Sequence, residues 1–148
     1  MEKQEFKILI NASKEKVWNV LWSDTTYPAW TAVFCEGSKA ETDWKKGSEV
    51  LFLNDKNDGM FSTIEESIPH EYMSFKHLGE VKAGVKDLNS GKGSEWNNSL
   101  ENYTLKPVDG KTELVVDINR VKEFEDYFDK TFPKALEKVK ELAEVSAD

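Results

Sequence analysis

Few residues in this chain have side chains suited to chemistry at neutral pH. There are two histidines, His70 and His77, and one cysteine, Cys35. His77 shares strand parity with Phe75 and Met73, and Glu66 shares it with Ile64 and Ile68. If the stretches 60–68 and 72–78 pair as strands around Pro69-His70, Glu66 and His77 fall on one face. An imidazole and a carboxylate so placed form an acid–base pair. The alternative, which the residues favour, is a partly solvated pair at the rim of the sheet. His70 falls in a turn and His77 in a strand, without the spacing that builds a metal site. Cys35 follows an apolar run and has no basic neighbour to activate it, so it reads as a small hydrophobe. A single cysteine allows no intramolecular disulfide.

Two glycine-containing stretches invite ligand readings. Asn54 to Gly59, with Glu65 beyond it, has the outline of a calcium loop. Lys56 then occupies a ligand position and the flanks read as strands, so a hairpin turn ending in Asp58-Gly59 is expected. Gly91-Lys92-Gly93-Ser94 lacks the earlier glycine of a phosphate loop. No metal or cofactor is expected.

Aromatic residues are the more informative set. Five Trp and eight Phe are more than a core for 148 residues requires. Trp30, Phe34, Phe52, Phe75, Trp96, Tyr103, Tyr127, Phe128 and Phe132 are candidates for the wall of a cavity that takes a small apolar or aromatic molecule. Tyr103 and His77 are the polar groups that would orient it. The plainer reading of most of these rings is core.

Positioning them falls to a set of short elements and one long one. Phe6, Ile8 and Ile10 alternate with polar neighbours in a first strand over 5–11. Ser13 caps a helix carrying Val17, Trp18, Leu21 and Trp22. Tyr27-Pro28-Ala29-Trp30 opens a second, short helix. Strands follow over 38–43 (an edge), 48–54, 60–68, 72–78, 96–106 and 111–120, the last two joined by a hairpin at Pro107 to Gly110. Gly79 to Glu95, rich in Gly and Lys, reads as a long loop, with a lid over the cavity mouth as its functional variant. Phe124 to Val145 is an amphipathic helix, aromatic before Pro133 and aliphatic after it, with a kink expected near Asp129 to Pro133. Helices gathered on one side of an antiparallel sheet make the class α+β, in one domain over 1–148.

Net charge is -8 and the pI about 4.9. Both disfavour nucleic acid and anionic membranes as partners. No apolar run approaches a membrane span, and the first residues lack the apolar stretch of a secretion signal, so a cytoplasmic location is expected.

Several of these pieces carry a resemblance. They are Ser13 to Trp30, Trp44 to Phe52 with Gly47 before its strand, Gly59 to Phe75 with Ile64, Glu66 and Pro69, and TLKPVDGKTELVV ending at Val116. In this order they resemble the START-like, helix-grip superfamily that includes birch-pollen-allergen-type proteins. More narrowly the chain is similar to the activator of heat-shock-protein-90 ATPase homologue-like family. The resemblance implies a curved antiparallel sheet of about six or seven strands around the long C-terminal helix, with a hollow between them for a mostly apolar molecule. It also raises two alternatives. One is a co-chaperone-like module that binds a protein partner. The other is a cyclase- or hydrolase-type enzyme using the same hollow, although no catalytic motif carries over.

Overall fold

Strand β1 (Lys3–Ile10) forms where Phe6, Ile8 and Ile10 alternate with polar residues, and Ile10 is fully buried. It pairs antiparallel with β8 (Lys111–Asn119), so the two ends of the sheet-forming chain meet. The structure, a computed structural model, describes residues 3–87, 99–119, 121–122 and 124–145.

Helix α1 (Lys14–Trp22) starts at Ser13, whose Oγ accepts the Lys16 N–H at 3.2 Å. Its C-terminal carbonyls have no partner within the helix. The next helix, α2 (Tyr27–Thr31), and the residue before it supply them: Thr26 Oγ1 donates to the Val20 carbonyl at 2.7 Å, and Trp30 Nε1 to the Leu21 carbonyl at 3.0 Å. The two helices are therefore held together by side-chain caps as well as by packing.

The remaining strands are β2 (Lys39–Glu41), β3 (Glu49–Leu53), β4 (Gly59–Ile68), β5 (Tyr72–Lys82), β6 (Val85–Asp87) and β7 (Leu100–Val108). With β1 and β8 they make one antiparallel sheet of order β1-β8-β7-β5-β4-β3-β2, with β6 added to the end of β5. The class is α+β, as expected. Helix α3 (Glu125–Val145) lies on the concave face and runs unbroken through Pro133. Ala135, Leu136, Val139 and Ala143 of its aliphatic half are buried in the main core, and Phe132 stacks on Phe6 with ring centroids 5.0 Å apart. Gln4 of β1 fastens the start of the helix, donating through Nε2 to the Glu125 carbonyl and to Asp129.

The expected loop over 79–95 is corrected in its first half. Gly79 to Lys82 continue β5, Ala83 and Gly84 turn at φ 50 and 81, and Val85 to Asp87 return as β6. Two successive positive φ values match the twist of a tight hairpin. The turn is clipped to the neighbouring hairpin, since Ala83 N–H donates to Asp58 Oδ1 and Gly84 N–H to the Asn57 carbonyl, both at 2.9 Å. Asn54 Oδ1 is spent inside that neighbouring hairpin, accepting from Lys56 N–H and Asp58 N–H. Gly91 to Ser94 lie outside the described residues.

Gly59 sits between two strands, opposite Leu53 and Val81. A Cβ there would stand 1.8 Å from the Phe52 carbonyl oxygen. Gly59→Ala should therefore destabilise by about 3 kcal/mol as the β3–β4 pairing is forced apart. Gly47→Ala, where φ is +87 but a Cβ meets nothing within 4 Å, should lose only about 1 kcal/mol of backbone strain. Urea denaturation of the two variants measures the difference, and equal losses would show that the sheet yields at Gly59.

Candidate functional site

The concave face of the sheet and the first half of α3 do not close on each other. Between them lies a cavity of about 520 Å³. Its floor is built by strand alternation. On β5, β7 and β3 the inward positions bring His77, Glu101, Tyr103 and Phe52 into the wall. Helix α2 and the turn after it add Tyr27, Trp30, Phe34 and Cys35, Phe124 stands just before α3, and α3 adds Tyr127, Phe128 and Phe132. Exposed Gly59, Lys82 and Tyr127 mark the mouth.

The sequence-derived wall residues are thus brought together in large part. Trp30, Phe34, Phe52, His77, Tyr103, Tyr127, Phe128 and Phe132 line the space. Phe75 does not. It is 1% exposed and lies one layer back, under the rings of Trp22, Phe52 and Tyr103. Trp96 falls outside the described residues. The aromatic half of α3 makes wall rather than anchor: Phe132 meets Phe34 edge-on at 5.0 Å, Phe128 packs on Phe132, and the Tyr127 hydroxyl donates to the Phe34 carbonyl at 2.9 Å.

The expected proximity of His77 and Glu66 is corrected. Strand β4 carries an irregularity between Ile64 and Glu66, so Ile64 pairs with Phe75 while Glu66 pairs with Ser74. The extra residue, Glu65, reverses the parity, and Glu66 leaves the face on which Phe75 and His77 lie. Its carboxylate instead meets Lys46 Nζ at 3.4 Å near the surface.

His77 has other partners. Its Nδ1 lies 2.7 Å from Ser62 Oγ, and its Nε2 lies 3.0 Å from Glu101 Oε1. Tyr103 donates its hydroxyl to the other Glu101 oxygen. A carboxylate only accepts, so Nε2 carries a proton, and in the neutral ring Nδ1 accepts from Ser62. Serine, histidine and acid in a row suggest a hydrolase, but Ser62 is fully buried and is not part of the cavity wall. A nucleophile must reach its substrate, and this hydroxyl does not. The row instead fixes the Glu101 carboxylate at the cavity floor. Burial, with the nearby Glu101 charge adding to it, holds the Tyr103 and Tyr27 phenols well above the usual tyrosine range. Burial also raises the Tyr127 phenol.

Glu101 escaped the sequence reading. It shares β7 parity with Tyr103, which placed it on the inner face, but only the pairing of β7 with β5 puts it beside His77. In the sequence, Tyr27 and Cys35 likewise carry only the signals of a helix residue and a small core residue.

A long C-terminal helix gripped by a curved antiparallel sheet, with two short helices after the first strand, is a START-like helix-grip domain. The model of the family described as "Activator of Hsp90 ATPase homolog 1-like protein" matches residues 11–144, and the chain belongs to that family. None of the curated proteins compared with the chain matches it. Among solved structures, the Aha1 dimer from Colwellia psychrerythraea is similar with a TM-score of 0.76 at 17% identity, over 100% of both chains. A protein from Mesorhizobium loti gives 0.76 at 14%, covering 99% of this chain and 100% of its own. One from Cytophaga hutchinsonii gives 0.69 at 18%, covering 98% and 95%. These likenesses concern the fold. No described helix is long and apolar enough to cross a membrane.

Proposed function

We propose that this protein binds a small, largely apolar molecule carrying an aromatic ring system, in the cavity between the sheet and the first half of α3. The observation that carries this reading is the cavity itself: a space of about 520 Å³ in the range of small-molecule sites, walled by aromatic rings with a few converging polar groups. A domain whose role were only to present its outer surface to a protein partner would have no need of such a space. Closing α3 fully onto the sheet would add packing contacts, and the chain forgoes them. The enzyme alternative loses the Glu66–His77 pair it was expected to use, and the serine that meets His77 is out of reach.

Titration with naphthalene-based and other fused-ring probes, followed by NMR, tests the reading. Selective shifts are expected at Phe34, Phe52 and Phe128, with Leu136 and Val139 in the packed half of the helix unmoved. A broad panel of fused-ring compounds that shifts none of the three rings would overturn it.

A further inference from the structure

The polar end of the cavity carries more information than its size. Glu101 is held by His77 on one oxygen and by Tyr103 on the other. Both neighbours spend their hydrogens on the carboxylate, so neither offers that hydrogen to a ligand. A carboxylate has lone-pair capacity for about four hydrogen bonds. Two sites are in use, and the group still forms part of the cavity wall. No lysine or arginine among the described residues pairs with it. The spare lone pairs of a fixed acceptor at the end of an apolar space can take a donor from a ligand.

The rings around it point the same way. Phe52 meets the His77 ring edge-on at 6.2 Å, Trp30 lies 6.2 Å from Tyr103, and Tyr27 lies 5.6 Å from Trp30. Aromatic faces and a carboxylate together favour a cation, through ring quadrupole and charge alike. They disfavour an anion at this end of the cavity, where it would meet Glu101, while Lys82, the lysine in the wall, stands at the mouth.

We infer that the cavity selects a ligand whose apolar ring system ends in a protonated amine, seated on Glu101 between the rings of Tyr27, Trp30 and Phe52, and that it discriminates against the corresponding carboxylic acid. This deepens the proposed binding function and rests on it.

The test is a matched series on one skeleton: naphthylmethylamine, naphthalenemethanol and naphthoic acid, titrated by calorimetry into the whole chain. The expected order is amine, then alcohol, then acid, with amine favoured over acid by at least about tenfold, the effect of one charge-assisted hydrogen bond. Glu101→Gln should remove that preference while the alcohol still binds. Tyr103→Phe, which frees a lone pair on Glu101, should keep the preference. If the acid binds as tightly as the amine while the alcohol also binds, the amine selection is overturned and the cavity reading stands. A preference that survives unchanged in a folded Glu101→Gln overturns the role of Glu101. Absence of binding by all three, with the ring shifts described above also absent, overturns both. Should Glu101→Gln fail to fold, the ranking on the unmodified chain still decides the selection.

Discussion

Trp30→Ala should destabilise the protein by about 5 kcal/mol, enough to leave a domain of ordinary stability marginal. Three losses coincide at this residue. The ring is 1% exposed and touches Trp22, Tyr27 and Tyr103 at centroid distances of 5.6–6.3 Å. Removing a buried Trp side chain costs about 3–5 kcal/mol through lost burial and the hole left behind. The hole here opens into an existing cavity, so the surrounding rings have little to collapse onto. The second loss is the cap on α1, because the Leu21 carbonyl is left without the indole N–H and an unpaired buried acceptor costs about 1–3 kcal/mol. The third is the seam between α1 and α2, which then keeps only the Thr26 side-chain cap and the stacking of Trp22 on Tyr27. Trp30→Phe separates these effects. It keeps most of the packing and loses the cap, so about 2 kcal/mol is expected. Chemical denaturation of the two variants provides the comparison. A loss below about 2 kcal/mol for the alanine variant would mean that the rings close over the gap, and that the cavity is more compliant than its aromatic wall implies.

What could be read without the structure, and what could not, follows from the range of the interactions involved. The alternation in Phe6, Ile8 and Ile10 and the three-and-four spacing along Phe128, Phe132, Leu136 and Val139 are local, and they placed β1 and α3 correctly. The division of α3 at Pro133 into an aromatic and an aliphatic half was also legible, because composition changes along one face. The antiparallel sheet followed from the order of elements, and its curvature from the resemblance. The relation of Glu66 to His77 was not legible, because one irregular residue between Ile64 and Glu66 reverses parity and nothing in the stretch TIEES announces it. The turn at Ala83-Gly84 was missed for a related reason. Its residues lack the asparagine or aspartate that usually precedes glycine in such hairpins, and its geometry is held by Asp58 and Asn57 from another hairpin. Glu101 illustrates the limit at the site. Its parity with Tyr103 is a local signal, but its meaning comes from a partner 24 positions away on β5.

The same burial that hides the tyrosines gives the protein a predicted weakness at high pH. Tyr27 and Tyr103 both ionise in the folded state only well above the usual range, because burial opposes the phenolate and the Glu101 carboxylate repels it. In the unfolded chain each returns to about 10. A group whose folded pKa is raised contributes stability that is present in full below the unfolded pKa. That contribution is lost as pH rises from there towards the folded pKa. In that window the unfolded state has released protons that the folded state still holds, so unfolding becomes easier with each unit of pH. The slope is about 1.4 kcal/mol per pH unit for each tyrosine, roughly twice that for the pair. Unfolding free energy measured from pH 8 to 11.5 should therefore be level with respect to these groups at first and then fall steeply above about pH 10. Tyr103→Phe should remove half of the slope without flattening it, since Tyr27 remains. The variant should also lose the hydrogen bond to Glu101 and start from a lower plateau. Lysines titrate in the same range, but those that stay in water in both states contribute little to the difference. Absorbance at the phenolate band during the titration identifies the groups: the two buried tyrosines should ionise together with unfolding, in one cooperative step. Gradual ionisation of both in a chain that stays folded would show that water reaches the floor of the cavity freely, and that it weakens the pull of Glu101 on a charged ligand there.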